Sequence, residues 1–206
     1  MFDKFFASHR VSDAPESRLP SDRAAAVGGS NSAHHAARLL RAPTALMQLN
    51  EEEALTVVGF MQPRRFSSGT TIIRQGEADD TGFMVLVLEG EITVETLIAR
   101  RSDPATVNVL GPGSLIGEMS LVDGAARSAS CTASTDVHCA VLTRSALETL
   151  ITEQPATAAK LMTAVAQRLA ERLRESSHKL RVFSKLIKTM QQEIDVLMPT
   201  PDRRLK

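Results

Sequence analysis

Two side chains of opposite charge lie nine residues apart near the middle of this 206-residue chain. Glu118 follows Gly117 where a short helix can begin, and Arg127 precedes Ser128 in a largely apolar run. Backbone N–H groups at a helix start favour negative charge, and a planar guanidinium binds two phosphate oxygens at once. A nearby carboxylate can accept hydrogen bonds from a sugar hydroxyl. These residue types therefore predict a site for phosphate and sugar together, which suggests a nucleotide.

Residues 116–129 read I-G-E-M-S-L-V-D-G-A-A-R-S-A. This stretch resembles the phosphate-binding cassette of cyclic-nucleotide-binding domains, which occur in catabolite-activator-type regulators, kinase regulatory subunits and gated channels. The family pattern is roughly Gly-Glu-Leu/Met-Ala/Ser-Leu, a short loop and Arg-Ser/Thr-Ala. Here the two parts stand at residues 117–121 and 127–129. The resemblance implies a cyclic nucleotide as the ligand.

The same resemblance gives each cassette residue a role. Arg127 would pair with the cyclic phosphate, and Glu118 would accept from the ribose 2′-hydroxyl. Gly117, Met119 and Ser128 would offer backbone N–H groups, and Ser128 also its hydroxyl. Without the resemblance, Arg127 also fits a structural arginine and Glu118 a carboxylate near a helix dipole. The candidate walls of the pocket are Leu110, Leu115 and Ile116.

The base is predicted to face a long C-terminal helix near Arg168, Arg172 and Leu173. By position, Arg172 and Leu173 replace the small hydroxyl residues with which the catabolite activator reads adenine. A guanidinium there can stack on a purine, reach the acceptors of guanine or form an ion pair across a dimer. A threonine after the cassette arginine can favour guanine, whereas Ser128 is neutral or mildly favours adenine. We predict cyclic AMP ahead of cyclic GMP, with cyclic di-GMP or a vestigial pocket as alternatives.

Short strands and regular turns must position the cassette. Apolar and β-branched runs alternate with turn residues over residues 66–142, and one helical loop interrupts them. This pattern predicts an α+β fold, in which an antiparallel double-stranded β-helix (a β-roll or jelly-roll) carries flanking helices. Asn50 and Glu53 predict a capping-box start for one of these helices. The family resemblance covers residues 44–174.

The apolar pattern then continues to residue 197 without a Gly or Pro after Pro155. From Leu173 onward its steps alternate between three and four residues, as in the seam of a left-handed coiled coil. A helix of this length, roughly 65 Å, cannot bury its stripe on one small β-roll. We therefore predict a parallel homodimer through residues 155–198. A helix folded back on its own domain is the alternative.

Composition and the resemblance predict four segments. Residues 1–43, rich in Ser, Ala, Gly and Pro, are predicted to be a disordered tail, because such a segment buries little apolar area. Residues 44–154 form the β-roll, residues 155–198 the dimerisation helix and residues 199–206 a flexible tail. Regulators of the catabolite-activator type carry a helix-turn-helix domain after this helix. Eight residues cannot supply one, so we expect no direct contact with nucleic acid.

Bulk properties exclude several classes of protein. Lys+Arg 24 balances Asp+Glu 24, which argues against a strongly basic nucleic-acid-binding protein. The sequence contains no run of about 18 apolar residues, so no transmembrane helix is predicted. The N-terminus lacks the apolar core of a secretory signal. Two cysteines are predicted to be reduced in a cytoplasmic protein. The histidines lack metal-ligand spacing and no nucleophile motif is visible, so we expect no enzyme, no catalytic residue, no metal and no cofactor.

The sequence thus predicts a cyclic-nucleotide sensor that signals through a dimer helix to a protein partner and has no DNA-binding domain of its own. The alternative is a coiled-coil dimeric adaptor whose pocket is vestigial or binds cyclic di-GMP.

Overall fold

A computed structural model of the chain describes residues 30–79, 82–97 and 104–197. The chain divides after Val165 into a first unit and a second unit that starts at Ala166. The helices are α1 (Asn31–Leu40), α2 (Glu51–Gly59), α3 (Glu118–Asp123), α4 (Arg144–Glu153) and α5 (Pro155–Leu197). The strands are β1 (Gln62–Phe66), β2 (Thr71–Ile73), β3 (Phe83–Glu89), β4 (Ile92–Leu97), β5 (Pro104–Leu110), β6 (Leu115–Ile116), β7 (Ser130–Ala133) and β8 (Val137–Thr143).

The strands of the first unit form two four-stranded antiparallel sheets. Their orders are β1-β8-β3-β6 and β2-β7-β4-β5. One apolar cluster contains residues of both sheets, among them Ile73, Phe83, Ile116, Cys131 and Val141. This architecture confirms the predicted α+β fold with an antiparallel β-roll.

β3 is an inner strand of its sheet and is buried on both faces. Phe83, Val85 and Val87 belong to the cluster shared with the other sheet. The alternating Met84 and Leu86 have no exposed surface, and helices α1 and α3 contact this strand. Each such apolar side chain stabilises the fold by about 1.5–3 kcal/mol. β3 is therefore a rigid base for the groups at its first residue, Phe83.

The start of α2 confirms the predicted capping box. The Asn50 side chain accepts from the backbone N–H of Glu53 at 2.9 Å, and the Glu53 carboxylate accepts from the backbone N–H of Asn50 at 3.0 Å. The same carboxylate also pairs with Lys160, in the first turns of α5. Glu53 thus serves two elements of the first unit that are distant in sequence.

The structure corrects the extent of the predicted N-terminal tail, residues 1–43. Helix α1 lies within that range, begins with Ser30 as its N-cap and ends at Leu40, which has no exposed surface. Composition suggested disorder because the segment contains few large apolar residues. Contact of α1 with β3 nevertheless gives those few a buried site. Residues 1–29 and the predicted flexible tail at 199–206 lie outside the described residues.

β1 was not predicted, since its sequence Gln-Pro-Arg-Arg-Phe lacks an apolar run. Among the described strands it lies at the edge of its sheet, where it pairs with β8 along Gln62 to Phe66. An edge strand tolerates Pro63, because one row of its backbone groups has no ladder partner. Charged side chains such as Arg64 and Arg65 are also common on edges, where they discourage further strand pairing.

The predicted long C-terminal helix is confirmed as α5, which has 43 residues. Its buried residues, Ala158, Leu161, Ala164 and Val165, all belong to the first unit. In the second unit the predicted seam is exposed, with Leu180 at 67% and Ile187 at 67%. Among the described residues, no helix is both long and apolar enough to cross a membrane.

Candidate ligand-binding site

The cassette begins where β6 passes into α3 through Gly117. This residue has φ 78° and is the N-cap of α3, with no side-chain cap. The first-turn N–H groups of such a helix have no acceptor within the helix. A Cβ atom on residue 117 would lie 2.6 Å from Nη1 of Arg127 and 2.9 Å from the carbonyl oxygen of Phe83. Glycine thus allows both the left-handed backbone and the close approach of the arginine.

Arg127 lies on the loop after α3 and is only 4% exposed. Its Nη1 donates to the carbonyl oxygen of Gly117 at 3.0 Å, and its Nη2 donates to that of Phe83 at 3.1 Å. Its Cζ lies 4.2 Å from the centroid of the Phe83 ring. The guanidinium is therefore held by two carbonyls and one aromatic face.

These contacts leave part of the guanidinium available. Its five N–H groups make two side-chain hydrogen bonds within the described residues. In that part of the chain, no fully buried side-chain nitrogen or oxygen lacks a hydrogen-bond partner. Nε makes no hydrogen bond to another described residue, and each terminal nitrogen keeps a second N–H group beyond the bond it donates. The arginine is thus anchored through its two terminal nitrogens and keeps a donor for an incoming anion.

The backbone of Arg127 is fixed as well as its side chain. Its N–H donates to the carbonyl oxygen of Glu77 at 2.9 Å, and the N–H of Gly76 donates to the Arg127 carbonyl at 2.8 Å. Gly76 and Glu77 belong to the turn after β2, at φ 81° for the glycine. The loop that carries the arginine is therefore tied to a turn about 50 residues earlier in the sequence.

Opposing effects act on the pKa of the Arg127 guanidinium. Burial lowers the pKa of its guanidinium, because a desolvated charge is less stable. Cys131, Glu77 and Glu118 act in the opposite direction and raise this pKa. An arginine remains charged under these conditions, since its unperturbed pKa lies far above neutrality. A bound anion would offset the desolvation of the guanidinium.

A second arginine holds the other end of α3. Nη2 of Arg144 donates to the carbonyl oxygen of Ser120 at 3.0 Å, and the backbone N–H of Arg144 donates to the carbonyl of Gly82. A Cβ atom on residue 82 would lie 2.9 Å from Cβ of Arg144. The cation stabilises the carbonyl end of the short helix, which bears partial negative charge.

The structure places the predicted site residues in two groups. The first group lies at the end of β6, the start of α3 and the loop after α3, and comprises Ile116, Gly117, Glu118, Met119, Arg127 and Ser128. Arg127 contacts Gly117 directly, and Glu118 is 2% exposed, whereas Met119 is 46% exposed. The second group, Arg168 and Arg172, lies on α5 in the second unit. Arg168 forms an ion pair with Glu171 at 3.4 Å, and the contact of both arginines with a base stays a prediction.

Sequence reasoning missed Phe83 and Arg144 as parts of this site. Phe83 is separated from Arg127 by 44 residues, and Arg144 from Ser120 by 24. Phe83 opens an apolar β-rich run and therefore looked only like a core residue. No local pattern indicates that its ring faces a guanidinium. Arg144 has the weaker signal of a cation at the start of a helix, where a positive charge is unfavourable without another partner.

Metal chemistry has no support in the described part of the chain. No group of three or more His, Cys, Asp or Glu side chains there could hold a metal ion. Cys131 and Cys139 are buried thiols.

Comparison with known proteins identifies the domain that holds the cassette. The sequence model of the family described as "Cyclic nucleotide-binding domain" matches residues 63–154. Residues 63–154 are a cyclic nucleotide-binding domain. The family prediction is thereby confirmed, and the domain is of a type found in sensor and regulatory proteins.

Two curated proteins are similar in sequence to part of this chain. The "Cyclic AMP receptor protein" of Thermus thermophilus is 34% identical over 137 residues, which are 66% of this chain and 60% of that protein. The "CRP-like cAMP-activated global transcriptional regulator" of Mycobacterium tuberculosis is 30% identical over 112 residues, or 53% of this chain and 47% of that protein. The chain thus spans roughly half the length of these curated relatives.

A solved structure agrees with the fold. The crystal structure of a cyclic nucleotide-binding domain from Methylobacillus flagellatus has 29% sequence identity and a TM-score of 0.63. The alignment covers 75% of this chain and 84% of that one.

Proposed function

We propose that this chain is a cyclic-nucleotide sensor, with cyclic AMP as its preferred ligand, that signals through α5 to a protein partner. The observation that carries the proposal is the state of Arg127. Arg127 is 4% exposed and its side chain is anchored to two backbone carbonyls, while three of its five N–H groups make no hydrogen bond to another described residue. An anchored, largely desolvated cation with a free donor is well suited to bind a phosphate.

The cassette supplies groups for the rest of such a ligand. Glu118 is the first residue of α3, and its carboxylate is assigned to the ribose 2′-hydroxyl. The uncapped start of α3 and the exposed Ser128 are assigned to the phosphate oxygens. A cyclic phosphate carries one negative charge and two non-ester oxygens, which match one guanidinium and a few N–H donors.

Cyclic AMP is proposed over cyclic GMP on two grounds. Ser128 replaces the threonine that would favour guanine, and the Thermus and Mycobacterium relatives are named for cyclic AMP. Arg168 and Arg172 are proposed to meet the base or to form ion pairs in a dimer. The preference for cyclic AMP and the roles of these two arginines are both part of the proposal.

The second unit supports a role in assembly. Leu173, Leu180, Ile187 and Ile194 lie at seven-residue intervals on α5, and each is at least half exposed in the single chain. The β-branched isoleucines at two of these positions favour two parallel strands. We propose that this seam forms a parallel homodimer. Ligand changes the activity of the assembly only if it binds two states of α5 with different affinity.

Isothermal titration calorimetry with cyclic AMP, cyclic GMP, cyclic di-GMP and 5′-AMP tests the proposal. We expect saturable heat with cyclic AMP, weaker binding of cyclic GMP and none of 5′-AMP. Arg127→Ala should weaken binding by about 30-fold or more, because it removes the charged partner of the phosphate. Arg65→Ala removes an exposed arginine on β1 and is the matched control. Absence of heat with every cyclic nucleotide, or equal affinity in Arg127→Ala and the parent, would refute the proposal.

A further inference from the structure

Phe83 contacts the guanidinium of Arg127 in two ways. Its ring lies under the guanidinium, with 4.2 Å from Cζ to the ring centroid. Its carbonyl oxygen accepts from Nη2 at 3.1 Å. One residue thus restrains both the plane of the guanidinium and the direction of one terminal nitrogen. Gly117 restrains the other terminal nitrogen through its carbonyl oxygen at 3.0 Å.

Phe83 is itself held in place by the core. It is 8% exposed, and its side chain belongs to the apolar cluster that also contains Val85 and Ile116. Its backbone is in register with Thr143 of β8, at the start of an inner strand. The ring therefore has little freedom to follow the arginine. The arginine must instead adopt the orientation that the ring and the two carbonyls define.

The character of the ring is important as well as its position. A cation over an aromatic face is attracted by the ring quadrupole, and the attraction increases as water is excluded. An aliphatic side chain of similar volume would fill the space without this attraction. The Phe83 ring therefore offsets part of the desolvation cost of Arg127. It does so from one flat face of the guanidinium and leaves the edge with the N–H groups to the phosphate.

We propose that Phe83 is a positioning residue for the phosphate ligand: its ring and its carbonyl hold the guanidinium of Arg127 in one orientation, which presents the remaining N–H groups to the phosphate. This inference rests on the proposed function for its ligand, but the geometry on which it depends exists without one. Phe83 acts through Arg127 and need not touch the nucleotide. A side chain that fixes a ligand-binding group beforehand increases affinity by reducing the ordering that binding requires.

Replacement of Phe83 by leucine removes the ring and keeps the carbonyl and most of the apolar volume. The attraction lost corresponds to about a 2-fold to 30-fold change in affinity. We expect the Kd for cyclic AMP, measured by calorimetry, to rise within this range in Phe83→Leu. Phe66→Leu makes the same chemical change beside the same apolar cluster, away from Arg127, and should keep the parent Kd.

Fluorinated phenylalanines at position 83 separate the ring quadrupole from packing. Successive fluorine atoms weaken the negative face of the ring with little change of shape, so we expect the Kd to rise stepwise with their number. A Kd that is unchanged across the series and in Phe83→Leu would overturn the inference, even if the parent binds cyclic AMP. If Phe66→Leu weakens binding as much as Phe83→Leu, the role of Phe83 is only structural and the inference is equally overturned.

A measurement without ligand keeps the two proposals distinguishable. The ring current of Phe83 should shift the proton resonance of Arg127 Nε–H upfield, and this shift should disappear in Phe83→Leu. If the parent binds no cyclic nucleotide but shows the shift, the proposed function fails and the orientation of Arg127 stands. If the parent shows no such shift, the inference fails whatever the protein binds.

Discussion

Alanine at position 117 tests the contact on which the cassette geometry depends. Gly117 has φ +78°, and a Cβ atom there would lie 2.6 Å from Nη1 of Arg127 and 2.9 Å from the carbonyl oxygen of Phe83. Both distances are too short for a real Cβ atom, so one neighbour must move. The carbonyl belongs to an inner strand, whereas the guanidinium is the far end of a flexible side chain. We expect Nη1 of Arg127 to move away and to lose its hydrogen bond to the Gly117 carbonyl.

Two contributions set the size of the effect on the free energy of unfolding. A left-handed backbone costs about 1–2 kcal/mol in a residue with a Cβ atom. Loss of a hydrogen bond from a charged donor costs about 1.5–3 kcal/mol. Gly69→Ala provides the first contribution alone, because Gly69 has φ +84° and no atom within 4 Å of its Cβ position. Gly117→Ala should therefore be more destabilising than Gly69→Ala by about 1.5–3 kcal/mol.

Urea unfolding of the parent and the two variants measures this difference. The chain contains Trp 0 and Tyr 0, so far-UV circular dichroism is a better probe than intrinsic fluorescence. Calorimetry on the folded variants should also show weaker binding of cyclic AMP in Gly117→Ala and parent-like binding in Gly69→Ala. Equal losses of stability in the two variants would show that the Cβ atom displaces nothing, and would refute the reasoning about Arg127.

Three further predictions concern other parts of the chain. The hydrogen bond from Lys160 is the largest cause that lowers the pKa of Glu53 below 4.5. The pair therefore stabilises the fold above that pH. Its contribution is lost as the pH falls through the lowered pKa of Glu53 in the folded state. In Lys160→Met, the loss of stability between about pH 6 and about pH 3 should be smaller than in the parent, and an unchanged loss would exclude the pair as its source. Burial raises the pKa of Cys139 to about 12, so its thiol should resist iodoacetamide at neutral pH in the native protein and react in urea, as mass spectrometry of the modified peptide would show. For the proposed dimer, light scattering should give a mass near twice 22.3 kDa for the parent and for the matched control Lys188→Glu, which lies off the seam. Ile187→Glu should have the mass of one chain, because it places a charge in the seam. A dimeric Ile187→Glu would contradict the proposed seam.

The helix start at Gly117 could be predicted from the sequence because its signal is local. Gly117, Glu118 and Arg127 fall within one short stretch, and a left-handed glycine before a helix is a property of neighbouring residues. The capping box at Asn50 and Glu53 is local for the same reason. The β-roll and the long helix followed from apolar periodicity, which repeats over a few residues.

Other elements depended on partners that are distant in sequence. Helix α1 contains few large apolar residues and is ordered through its contact with β3. The polar strand β1 exists because β8 offers it a ladder, with Gln62 in register with Val141. The residues that α1 buries are mostly small, Ala36 and Ala37 beside Leu40, and β1 has no apolar alternation, so local propensity was not sufficient to predict either segment.

The sequence by itself therefore determined that an arginine follows a Gly-Glu helix start at the spacing of a phosphate cassette. Only the tertiary structure decided how that arginine is held. Antiparallel pairing brings Phe83 of β3 and the turn at Gly76 against a loop that lies 44 residues beyond Phe83. The two carbonyls and the ring then fix the guanidinium, because sheet register places groups from distant parts of the chain within hydrogen-bonding distance of one another.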